Sequence, residues 1–261
     1  LLAGCGETIR NADPRPAWQK NKEPMALNEE VFVDAERLQT LRTEREATVI
    51  DARTLEAYEA GHLPGAIHSG NRASGDKPFK DPANNDVLYR DVTRLQEKAR
   101  SLGISRSRPV IIYGKPTSKR VGRLYWTLEY LGHGDVFAYP AGYSTLRDEL
   151  DFTPSTDVPE NIDGDFVVSR RPSVLATDED VLAVAEGEQP GILVDTRRES
   201  EFQGDEDRGD PRQGYIPEAI HYHWKEMFTE NGRLKPLDTL ESDFRDAGFL
   251  KEDALVIPYC Q

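Results

Sequence analysis

Sulfur is scarce in this chain. Its 261 residues include two cysteines, Cys5 and Cys260, and two methionines. The thiols stand at opposite ends and nothing in the sequence requires them to pair. No Cys-x-x-Cys or Cys/His spacing occurs, so no zinc-site pattern is present. Positive charge is also short, with 33 Lys and Arg against 47 Asp and Glu and a formal net charge of −14. Such a surface argues against nucleic acid or an anionic lipid face as partner, and an anionic substrate would need a local cationic pocket. No apolar run approaches the roughly 18 residues of a membrane-spanning helix. What is present, 37% hydrophobic and 31% charged residues, describes a polar globular chain of one large domain or two small ones.

The stretch Ala254 to Gln261 is apolar and β-prone and ends in a cysteine. A short buried strand that delivers a thiol to its C-terminal tip suits nucleophilic sulfur chemistry, because open α/β sheets place ligands beyond the carboxyl ends of their strands. The thiolate is the reactive form, and a loop of backbone N–H groups opening a helix just after Cys260 would favour it. One residue of the sequence lies beyond Cys260, so the expectation is that the second domain continues past Gln261.

Two stretches of sequence resemble each other. Asp51-x-Arg53 answers to Asp195-x-Arg197, Tyr58 to Phe202, Gly61-His62-Leu63-Pro64 to Gly214-Tyr215-Ile216-Pro217, and Ala66-Ile67 to Ala219-Ile220. The offset is 144 at the first aspartate and 153 at Ala66, which puts a nine-residue acidic insertion around Asp205 to Asp210 of the second copy. Two copies at so long a period mean two homologous domains. In the same alignment Tyr113-Gly114 matches Tyr259-Cys260. A lone cysteine is commonly a small buried hydrophobe; one placed by a repeat at a strand end is a candidate nucleophile.

Asp-x-Arg at a strand end, an aromatic five residues on, and then Gly-His-Leu-Pro-Gly-Ala resemble the rhodanese family, and the paired arrangement is similar to its tandem thiosulfate and 3-mercaptopyruvate sulfurtransferases. The resemblance runs from about Val31 to the end. It implies an α/β fold of two tandem domains, each a central, mainly parallel sheet flanked by helices. Gly114 stands at the family's cysteine position, so the first copy could form no covalent sulfur intermediate. Cys260 would attack the outer sulfur of thiosulfate or 3-mercaptopyruvate, hold it as a persulfide and pass it to cyanide or a thiol, with no cofactor or metal required. Arg212 is the candidate cation for an anionic donor, with a plain surface charge as the alternative. Tyr215 replaces the family's histidine, and Pro217 stands where some relatives carry arginine. Arg197 reads as a tie from strand end to neighbouring loop. A non-catalytic tandem module that binds a partner at the cell envelope is the competing reading. A phosphatase of related fold would need a histidine where Tyr259 stands.

The domains expected are 1–25 as a tether, 26–150 as the first copy, 151–165 as linker and 166–261 as the second copy. The second copy is expected to open with Phe166-Val167-Val168-Ser169. Helices are expected over 34–41 with Asp34 as N-cap, over 121–131 with Gly132 as C-cap, over 177–185 with Thr177 as N-cap, and over 240–248. Leu2-Ala3-Gly4-Cys5 resembles a bacterial lipobox. In that reading Cys5 is lipidated, the membrane is met only through that anchor, and the protein lies on the periplasmic side of the envelope, at the outer membrane.

Overall fold

A computed structural model describes residues 31–70, 79, 91–160, 164–209, 211–251 and 254–260. The proposed tether, with Cys5, lies outside the described residues. Packing divides the chain into two compact units. One is formed by the described residues of Met25–Leu175 with Lys225–Pro236, the other by those of Ala176–Trp224 with Leu237–Gln261. Among the described residues no helix is long and apolar enough to cross a membrane.

The first unit is built on a parallel sheet of β1 (Thr48–Asp51), β2 (Ile67–His68), β3 (Val110–Tyr113) and β4 (Val136–Ala138), in the order β2-β1-β3-β4. All four residues of β1 and of β3 are buried, as expected for strands covered on both faces. The side chains alternate between faces. Ile50 and Ile112 join one core with Leu95, Ala99, Leu124 and Leu128, while Val49, Ile111 and Tyr113 join the other with Leu38, Leu41 and Leu146. The first core is covered by α3 (Val92–Ser101) and α4 (Lys119–Tyr130), the second by α1 (Ala35–Glu44) and α5 (Tyr143–Leu150); the short α2 (Leu55–Glu59) follows β1. Each fully buried Leu or Ile contributes about 1.5–3 kcal/mol.

The local signals behave as expected. The Asp34 carboxylate accepts from the Arg37 N–H at 2.7 Å and caps α1. Val121, Leu124 and Leu128 form the buried stripe of α4 at helical spacing. Gly132 ends that helix at φ +98°, where a Cβ would lie 2.1 Å from the Ser169 carbonyl oxygen, so only glycine fits.

Phe166–Ser169, the segment expected to open the second copy, packs with the first unit. Phe166 is buried in the first unit's core beside Leu102 and Ile104; its N–H donates to the Ile104 carbonyl at 3.2 Å, and its carbonyl accepts from Arg100 Nε at 2.9 Å. A short run of three apolar residues can open a domain or join an existing core, and here the phenylalanine joins the core that holds Leu95, Ala99, Leu124 and Leu128. The preceding segment is tied down as well. His62 and Ser155 exchange backbone N–H···O bonds of 2.9 Å, and the buried His62 ring bridges the carbonyls of Tyr58 and Asp157 at 2.9 and 3.0 Å.

Residues 225–236 also pack with the first unit, although they follow Ile220 and His221 of the second copy in sequence. They form a hairpin in which Gly232 donates to Thr229 and Lys235 to Met227, at 2.8 and 2.9 Å. Gly232 of this hairpin and Gly142, just before α5, both approach Pro116, at positions where a Cβ would come within 2.8 and 2.5 Å of the proline ring. Arg233 reaches Glu149 at 3.4 Å.

The second unit has a parallel sheet of β5 (Ile192–Asp195), β6 (Ile220–His221) and β7 (Val256–Tyr259), in the order β6-β5-β7. Its register repeats the first: Ile192 to Asp195 face Val256 to Tyr259 as Thr48 to Asp51 face Val110 to Tyr113. Thr177 caps α6 (Asp178–Ala185) in a reciprocal box with Asp180. The short α7 (Glu199–Phe202) follows β5, and α8 (Leu237–Asp246) begins three residues before the expected start. Tyr222, Phe244 and Phe249 pack as a trio with ring centroids 5.0–5.4 Å apart. The expected α/β architecture, with helices against parallel sheets, is the one observed.

Candidate active site at the strand tips

Each unit carries the same hydrogen-bonded clamp where its central strand ends. In the second, buried Asp195 closes β5 and the chain turns back through Thr196 and Arg197. The Arg197 N–H meets Asp195 Oδ1 at 2.9 Å, Nε meets both carboxylate oxygens at 3.0 and 3.1 Å, and Nη2 meets Oδ2 at 2.6 Å. The same Nη2 donates to the Gly214 carbonyl at 2.7 Å, which ties the strand end to the Gly-Tyr-Ile-Pro turn as expected for Arg197. The Tyr259 hydroxyl accepts from the Ile216 N–H at 3.2 Å and also bonds Asp195.

Electrostatics follow from this packing. Burial opposes the Asp195 charge, but the bonds from Arg197 and Tyr259 outweigh it and hold the carboxyl below the usual range. The Asp195 hydrogen bond holds Arg197 protonated above its ordinary value. Burial, with the Asp195 charge adding to it, pushes the Tyr259 phenol up to about 12, so it stays a hydrogen-bond donor at neutral pH.

The first unit repeats the clamp. Arg53 meets Asp51 with Nη2 at 2.6 Å and Gly61 at 2.7 Å, and the Tyr113 hydroxyl donates to Asp51 at 2.7 Å while accepting from Leu63 at 3.2 Å. His68 and His221 each bring Nε2 onto the carbonyl of the clamp arginine, at 3.0 and 2.9 Å. His221 Nδ1 lies 2.8 Å from Glu199.

The copies diverge immediately after the tyrosine. Cys260 follows β7 as an exposed free thiol. Gly114 holds the matching place in the first unit, and a Cβ there would stand 2.8 Å from Val121 Cγ2. That loop passes through Thr117, at φ +54°, into α4. Arg212 is exposed in the turn before Gly214, and no hydrogen bond or ion pair joins it to Cys260 among the described residues. Tyr215, half exposed, stacks on Phe202 at 4.2 Å. The acidic insertion folds back through Glu206, which accepts from Arg198 and Ser200 at 2.8 and 2.9 Å. Among the described residues no group of three His, Cys, Asp or Glu side chains could hold a metal ion. Sequence reasoning left Tyr259 and Thr196 out of the site. The pairing of Tyr113 with Tyr259 was the available signal for the first, and nothing marked the second.

The family description Rhodanese-like domain matches residues 34–149. A thiosulfate sulfurtransferase of Corynebacterium glutamicum is 31% identical over 217 residues, covering 78% of this chain and 67% of its own length. The chain belongs to the rhodanese family. The 3-mercaptopyruvate sulfurtransferase of Escherichia coli is 27% identical over 240 residues, which is 87% of this rhodanese and 82% of the relative. The crystal structure of SseA from Escherichia coli superposes with a TM-score of 0.70 at 23% identity, covering 88% of each chain. An ergothioneine biosynthesis enzyme of Chlorobium limicola has the same TM-score at 21% identity, covering 93% of this chain and 64% of that one. These two structural likenesses speak for the fold.

Proposed function

We propose that this rhodanese is a sulfurtransferase that carries sulfane sulfur on Cys260. One observation carries the reading: the thiol stands one residue beyond a tyrosine whose register and clamp copy those of Tyr113, at the tip of a parallel strand. The relatives named thiosulfate and 3-mercaptopyruvate sulfurtransferase support it. The Cys260 thiolate attacks the outer sulfur of the donor. A Cys–S–S⁻ bond forms as the donor's bond to that sulfur breaks, and the electron pair leaves with the donor residue, sulfite from thiosulfate. An acceptor thiolate or cyanide then takes the outer sulfur and Cys260 leaves as thiolate. Arg212, in the turn held by Arg197, is the group proposed to meet the donor's negative charge. Gly114 leaves the first copy without a carrier.

Incubation with thiosulfate or 3-mercaptopyruvate should add one sulfur atom to the intact mass. Cys260→Ser should abolish both adduct and turnover, and a fully active variant would overturn the assignment. The lipid anchor at Cys5, with residence on the periplasmic side of the envelope, belongs to the proposal on the strength of Leu2-Ala3-Gly4-Cys5. Membrane fractionation of wild type and Cys5→Ala tests it, and wild-type protein with unmodified Cys5 would reject it.

A further inference from the structure

Duplication supplies an internal control for the surroundings of the thiol. Asp195, Arg197, Tyr259 and His221 each have a counterpart in the first copy, although that copy has no nucleophile, so their shared bonds serve the fold in both. Among the described residues, one side-chain hydrogen bond to the peptide that leads into Cys260 is unmatched in the first copy. Thr196 donates its hydroxyl to the Tyr259 carbonyl at 2.9 Å, beside its own backbone N–H at 3.0 Å. At the matching position Ala52 offers its N–H alone, to the Tyr113 carbonyl at 2.8 Å.

The Tyr259 carbonyl belongs to the peptide unit whose nitrogen is that of Cys260. We infer that Thr196 is a positioning residue for the Cys260 thiol, an inference that rests on Cys260 as the sulfur carrier. A carbonyl oxygen has two lone pairs, and here both are engaged. Because the peptide is planar, pinning its oxygen at two points fixes the plane that carries the Cys260 nitrogen and Cα. Cys260 lies past the end of β7, where strand pairing no longer restrains it, so this plane sets the direction in which its side chain leaves the sheet. Displacement at sulfur needs the attacking atom in line with the bond that breaks, and a thiol on a loosened peptide spends less time so aligned. Thr196 acts through the peptide and does not touch the reacting atoms.

The test is steady-state sulfur transfer from thiosulfate to cyanide by the full chain, with Cys260→Ser in parallel. Thr196→Val keeps the shape and removes the hydroxyl, and Thr196→Ser keeps the hydroxyl. The Val variant should lose about fivefold in kcat at unchanged KM, the size of one neutral hydrogen bond, and the Ser variant should recover to within about twofold of wild type. Thr196→Ala gives the same reading should the Val variant fail to fold, since Ala52 shows that this corner accepts alanine. Wild-type kcat in the Val and Ala variants, or equal losses in Val and Ser, would overturn the role of the hydroxyl. An active Cys260→Ser would instead remove the carrier reading and this inference with it.

Discussion

Arg197 holds Asp195 with Nη2 2.6 Å from the carboxylate, and Arg53 holds Asp51 at the same distance in the other copy. One copy ends its strand in a thiol and the other in glycine, yet the pair, its tie to a glycine carbonyl and its tyrosine are kept in both. The clamp therefore belongs to the architecture: it turns the chain at the strand tip and holds the following turn.

Removing one partner of so buried a pair leaves a charge unmatched. Arg197→Ala should destabilise the second unit, and Arg53→Ala the first, by about 3–5 kcal/mol in denaturant titrations. Losses under about 1 kcal/mol would place the pair among ordinary surface ion pairs.

Asp195 also sets an acid limit. Its folded pKa lies below the ordinary value of 3.8, so its contribution is fully present above that value and is lost as pH falls through the lower folded value. Acid unfolding followed by tryptophan fluorescence should show a stability loss beginning just below pH 4. Asp195→Asn should start less stable at neutral pH and lack this share of the loss. Parallel curves for the two proteins would remove Asp195 as the cause.

Gly114→Cys should not create a second sulfur carrier. The new Cβ would meet the buried Val121 side chain at 2.8 Å, and overpacking of this kind costs about 1–3 kcal/mol. Thermal melting should show the loss, Val121→Ala in the same chain should relieve it, and intact mass after thiosulfate should still show a single added sulfur.

The hairpin 225–236 should depend on the loop of the first copy against which it packs. Pro116→Gly removes the Cβ that Gly232 approaches and the Cδ that Gly142 approaches, and should speed hydrogen exchange at the Gly232 and Lys235 amides about tenfold while the Ile111 and Ile112 amides keep their protection. Unchanged exchange in the hairpin would show that Pro116 is not its support.

His62 should control access to the segment after α5. Its ring holds the Asp157 carbonyl, so His62→Ala should release residues 154–157 and open them to limited proteolysis, at a cost of about 1–3 kcal/mol. Wild-type resistance in that variant would leave the Ser155 backbone pairing as sufficient.

The sequence by itself determined what is local or repeated. The cap at Asp34, the capping box at Thr177, the buried stripe of α4 and the pairing of Tyr113 with Tyr259 all follow from neighbouring residues or from comparing the chain with itself. Tertiary structure alone decided where segments without strong local preference would lie. Phe166 joined the first core, beside Leu102 and Ile104. Residues 225–236 pack with the first unit, where Gly232 and Gly142 both approach Pro116. The Thr196 hydroxyl found the carbonyl before Cys260 because β5 and β7 lie side by side. Each is a contact between residues far apart in sequence, and it exists only once the sheet has set their distance.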